Sequence, residues 1–67
     1  MTNEIFDTIS SEGAKLVVLF LRQNGTSTVS EIVAELDLLL MDVYNYLSVL
    51  KENNIITELG QETYSLV

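Results

Sequence analysis

Residues Thr28 to Ile56, TVSEIVAELDLLLMDVYNYLSVLKENNII, decide the fold. Their apolar residues fall at Ile32, Leu36, Leu38, Val43, Leu47, Leu50, Ile55 and Ile56, a pattern that reads as a helix, a tight turn, a second helix and the start of a strand. Thr28 and Glu31 form a capping box, in which each side chain satisfies a free amide of the other's turn, so the first of these helices begins near Val29. Ile32, Val33 and Leu36 give it one apolar stripe. Asp37 then falls in the turn, where a left-handed backbone is needed and Asp tolerates it. The next helix is expected from Leu39 or Leu40 to Glu52 or Asn53, with Asp42 suiting the helix dipole and Asn53-Asn54 ending it.

Downstream, Ile55–Leu59 and Glu62–Val67 read as two strands joined by Gly60-Gln61, a two-residue loop of the Gly-first hairpin type. That register pairs Leu59 with Glu62, Thr57 with Tyr64 and Ile55 with Leu66, and it turns Ile55, Tyr64 and Leu66 toward the core. Upstream, Ser10 or Ser11 caps a helix that has Glu12 in its first turn and stops at Gly25 after Asn24. At about 100° per residue, Ala14, Val17, Val18 and Leu21 share one face while Leu16, Leu19 and Phe20 lie opposite. This helix is apolar all round, and so small a domain rarely buries a helix on two sides.

The second face therefore needs a cover. Ile5, Phe6 and Ile9 recur at helical spacing, so residues 1–10 form an arm or short helix able to fold back over it. The preferred expectation is a homodimer built on Ile5, Phe6, Ile9, Leu16, Leu19 and Phe20, with each large side chain worth about 1.5–3 kcal/mol on burial. A different fold competes for the same residues. Val29, Val33, Leu36, Leu40, Val43, Leu47 and Leu50 keep a heptad rhythm with no Gly or Pro between Thr26 and Leu59, which suits one long coiled-coil helix. Against it, complementary charge is missing beside the seam, Leu38, Leu39 and Met41 would be exposed, and a hairpin follows.

From Glu12 to the end, the order of elements, the Thr28–Ile32 "TVSEI" and the Val43–Leu50 "VYNYLSVL" resemble the winged helix-turn-helix regulator family. The resemblance implies a single domain over residues 1–67, mainly α with a small β-hairpin wing: three helices plus a two- or three-stranded antiparallel sheet, its first strand near Gly25–Thr28. It also implies that the third helix is a recognition helix, with Leu40, Met41, Asp42, Tyr44, Asn45 and Ser48 near a major groove and Gln61 on the wing. Asn45 would then read adenine and Tyr44 would meet a phosphate. Two places depart from the family. Leu39, Leu40 and Met41 replace a Ser cap followed by small polar or basic residues, and the wing carries Glu58 and Glu62 where DNA-binding relatives carry Arg or Lys.

Composition bears on the same choice. The chain has 67 residues, ten of them acidic against Lys15, Arg22 and Lys51, for a net charge of −7. Phosphate binding rests on several cations releasing counterions, and three scattered ones release few; acidity also serves solubility. No Cys is present, so neither a disulfide nor a zinc site supplements a core that buries only about 60% of the unfolded surface. Leu16–Leu21 is too short to span a bilayer, and Glu4 and Asp7 stand where a signal peptide is basic, so a cytoplasmic protein without a membrane partner is expected. Without His, Cys or a Gly-rich phosphate loop, neither catalysis nor a cofactor is expected. Asp37, Asp42 and Glu35 do not follow an EF-hand loop, so no metal is expected either.

Three functions follow as expectations. The first is a regulator of transcription or a related nucleic-acid process that works through a protein partner, using Leu39, Leu40, Met41 and Tyr44 as an exposed apolar patch. The second is a sequence-specific DNA-binding regulator using Tyr44, Asn45, Ser48 and Gln61. The third is an acidic mimic of nucleic acid that blocks another protein's basic site. Plainer roles stand beside them: Tyr44 packed on the wing, Asn45 solvated, and Leu39, Leu40 and Met41 covered by the arm or the dimer.

Overall fold

The computed structural model describes residues 11–67, so the expectations for Ile5, Phe6, Ile9 and a Ser10 cap lie outside the described residues. Helix α1, Glu12–Asn24, is capped by Ser11, whose hydroxyl accepts from the Ala14 amide at 3.3 Å. Gly25 stops it at φ 75, a left-handed conformation that costs glycine nothing, and the Gly25 amide donates to the Leu21 carbonyl at 2.8 Å. Ala14, Val17, Val18 and Leu21 are buried, whereas Leu16 and Leu19 face outward. Phe20, expected on the outward face with them, instead packs against the edge of the core.

Strand β1, Ser27–Thr28, leads directly into α2, Val29–Leu36. The capping box is formed: the Thr28 amide donates to Glu31 Oε1 at 2.8 Å, and the Glu31 amide donates to Thr28 Oγ1 at 3.1 Å. Asp37 takes φ 54 and ψ 44 and ends the helix, and helix α3 runs Leu40–Glu52. The heptad rhythm across the break therefore belongs to two helices turning apolar stripes onto one core, not to one long helix. Val43, Leu47 and Leu50 of α3 are at most 2% exposed, and Ile32 of α2 is fully buried among them. Leu38, in the turn, packs against the edge of that core.

Strands β2, Ile56–Gly60, and β3, Thr63–Leu66, complete a three-stranded antiparallel sheet of order β1-β3-β2. Its register corrects the expected one by a residue: Ile56 pairs with Leu66, Thr57 with Ser65 and Glu58 with Tyr64. The cause lies at the end of α3. Asn54 turns left-handed at φ 61, and the Ile55 amide donates to the Leu50 carbonyl at 3.0 Å, closing the helix. The Ile55 carbonyl accepts from the Val67 amide at 3.0 Å, and the Ile55 side chain packs against the edge of the core, as expected. Ile56 is then the residue buried at 2% exposure, on the same face as Tyr64. Because side chains alternate along a strand, that burial fixes the pairings as far as Glu58. An irregularity between Glu58 and Gly60 takes up Leu59, and the loop becomes Gln61-Glu62 instead of Gly60-Gln61, with Glu62 at φ 53. Among the described residues, three helices and a small sheet ending in a hairpin make a winged-helix-like arrangement.

Candidate functional site

The opening of α3 is the least ordinary surface of the described residues. Leu39 occupies the cap position with suitable angles, φ −71 and ψ 140, but has no side-chain oxygen to offer, so no side chain caps the helix. The first-turn amides are left to solvent. Leu39, Leu40 and Met41 are 72, 50 and 77% exposed, with Tyr44 half a turn to a turn further along at 38%. The packing of α3 explains the exposure of Met41. With Val43, Leu47 and Leu50 facing inward, 100° per residue carries Met41, Asn45, Ser48 and Glu52 to the opposite side, and all four are exposed. The four residues expected as a protein-contact patch thus lie together in the open. Asn45, Ser48 and Gln61, expected as DNA contacts, are also exposed.

The wing is fastened to α3 by its acids. The Tyr44 hydroxyl donates to Glu62 Oε2 at 2.8 Å, and Lys51 Nζ donates to Glu58 Oε1 at 3.3 Å. The hydroxyl and the ammonium with which α3 would meet phosphates therefore already face carboxylates. The bond to Glu62 raises the Tyr44 pKa above its ordinary value, with partial desolvation and the carboxylate's charge acting in the same direction. Tyr64 is raised as well, chiefly by burial and then by Glu58. Neither wing contact was legible beforehand, because both depend on the hairpin register.

A second surface lies on the outer side of α1, where Leu16 and Leu19 are 44 and 39% exposed. Phe20, expected beside them, is half-buried and lines an open cavity of about 310 Å³ with Asn24, Ser27 and Glu35. The inner side of α1 holds a contact that sequence reasoning missed. A Cβ added at Gly13 would fall well inside van der Waals contact with the Tyr46 ring of α3, so the glycine lets the ring lie against the helix. A glycine early in a helix signals only weak propensity, and nothing in the sequence names the ring above it.

Among the described residues, no three or more His, Cys, Asp or Glu are grouped to hold a metal ion, and no helix is long and apolar enough to cross a membrane. No known protein family, curated protein or solved structure matches the chain.

Proposed function

We propose that the protein is a winged-helix regulator of transcription or a related nucleic-acid process that acts mainly through protein contacts, as a homodimer in the cytoplasm. The observation that carries this reading is the opening of α3, where Leu39, Leu40 and Met41 stand exposed at 72, 50 and 77%. An exposed, contiguous apolar patch costs solubility unless a partner covers it. In a DNA reader this turn would meet the duplex, and three apolar side chains add no donor to the free amides of the helix end. Tyr44 and Lys51, the donors nearest the wing, are engaged by Glu62 and Glu58. The net charge of −7 adds repulsion toward any polyanion.

The dimer is assigned to the outer side of α1, with Leu16 and Leu19 at its centre and Phe20, which also packs against the core, at its edge. This leaves the α3 opening free for a different protein. One observation favours DNA as a second reading: Asn45 and Ser48 are exposed side by side on the outer face of α3, and Asn pairs bidentately with adenine.

Sedimentation equilibrium on three chains tests the assignment of surfaces. Wild type and Leu40→Glu are expected at the dimer mass and Phe20→Glu at the monomer mass. Leu40→Glu is further expected to abolish a heterologous protein contact. An unchanged mass for Phe20→Glu removes α1 from the dimer, and a monomeric Leu40→Glu moves the dimer to α3.

A further inference from the structure

The surroundings of the α3 opening narrow the chemistry of its partner. Three carboxylates flank the patch, by chain position or through Tyr44. Asp37 sits in the left-handed turn before Leu39, Asp42 belongs to the first turn of α3, and Glu62 is held against Tyr44 at 2.8 Å. Among the described residues, the cations lie elsewhere. Lys15 pairs with Glu12 on α1 at 3.9 Å, Lys51 with Glu58 at 3.3 Å, and Arg22 belongs to the last turn of α1.

Building on the reading of α3 as a protein-contact surface, we propose that this patch takes a cationic amphipathic helix of a partner protein. Its apolar side covers Leu39, Leu40, Met41 and Tyr44, and its Lys or Arg side chains reach Asp37, Asp42 and Glu62. An apolar centre with a rim of one sign calls for a complement that is apolar in the middle and opposite in sign at the edge. A second copy of this chain is a poor occupant. Twofold symmetry would set like patches face to face, bringing the same three carboxylates from each side, between chains of net charge −7.

An extended segment fits less well than a helix. Strand addition needs an unbroken edge ladder. Of the two outer strands, β1 is only two residues long and β2 is interrupted between Glu58 and Gly60, devices that block edge pairing. A helix needs no such ladder and presents its apolar stripe at every third or fourth residue.

The test uses a fluorescent helical peptide of about 18 residues, roughly five turns, with Leu along one stripe and Lys or Arg elsewhere. A twin keeps the Leu residues and replaces each cation by Glu. Anisotropy against the full chain is expected to show the cationic peptide binding at least about tenfold more tightly than its twin. Asp42→Asn is expected to weaken it about two- to fivefold. Met41→Glu is the decisive variant, since Met41 is 77% exposed and the change leaves the core untouched. It is expected to weaken the cationic peptide at least about tenfold, although it adds negative charge; unspecific attraction would instead strengthen binding.

Equal binding of the two peptides, each lost in Met41→Glu, overturns the cationic partner and leaves the protein-contact surface standing. Failure of both peptides to bind, or undiminished binding to Met41→Glu, overturns the surface itself and with it the proposed function. A dimer that dissociates on Met41→Glu shows a second copy in the patch and likewise overturns the proposal.

Discussion

Replacing Leu39 by Ser separates stability from function at the α3 opening. Leu39 stands at φ −71 and ψ 140 with no side-chain hydrogen bond to the helix. A Ser in that conformation accepts from the amide of Met41 or Asp42, and a capping Ser is worth about 0.5–2 kcal/mol over an alkyl side chain, typically near 1. The leucine is 72% exposed, so only about a quarter of its burial value, roughly 0.4–0.8 kcal/mol, is forfeited. The balance is a gain of roughly 0.5 kcal/mol. For a domain of this size that raises the Tm by about 2–4 °C. Leu39→Ala, which loses the side chain and gains no cap, is expected to lie below both, about 1 kcal/mol under the Ser variant. Thermal unfolding followed by far-ultraviolet circular dichroism, at several concentrations because self-association makes a Tm concentration-dependent, measures the three chains. A Tm for Leu39→Ser below that of wild type would refute the reasoning, because it would mean that Leu39 is covered in the free protein. If the gain appears, the native residue is a poor cap kept in place of a better one, as expected where a side chain serves binding.

Other predictions follow from contacts elsewhere in the fold. Gly13→Ala is expected to destabilise, because displacing the Tyr46 ring costs about 1–3 kcal/mol against a propensity gain of up to about 1. In a Tyr46→Ala background the same change becomes stabilising, and a four-member urea-denaturation cycle that shows no reversal of sign would remove the ring from the argument. Stability is also expected to fall at high pH. The pKa values of Tyr44 and Tyr64 are raised in the folded chain above the ordinary 10.0. Their contribution is therefore complete below that value and is lost as pH rises through the raised ones. Urea midpoints measured across that range should decline less steeply for Tyr64→Phe than for wild type, and parallel curves would contradict this.

Local features of the sequence were enough to place the helices. The Thr28–Glu31 box, the left-handed Asp37 and the buried face of α1 each depend on residues within a turn or two of one another, and each appears as expected. The hairpin register did not follow in the same way. Ile55 and Ile56 are adjacent and equally apolar, so composition cannot say which one starts the strand. The choice is made by the Asn54 turn and the Ile55 amide, whose bond to Leu50 belongs to the packed helix end. Gly60 points to a loop one residue early for the same reason, since the irregularity at Leu59 shifts the turn onto Glu62. The candidate site divides similarly. The apolar opening of α3 is visible in three consecutive side chains. The bonds from Tyr44 to Glu62 and from Lys51 to Glu58 join residues 18 and 7 positions apart, and they exist only once the wing has its observed register.

The central claim is that α3 meets protein and not DNA, and a duplex titration tests it most directly. A fluorescent mixed-sequence duplex is titrated with the protein to high micromolar concentration at about 50 mM salt and again at about 200 mM, a range over which a protein with several phosphate contacts loses affinity steeply. No salt-sensitive rise in anisotropy is expected. Micromolar binding at the lower salt that collapses at the higher, and weakens further in Asn45→Ala, would contradict it.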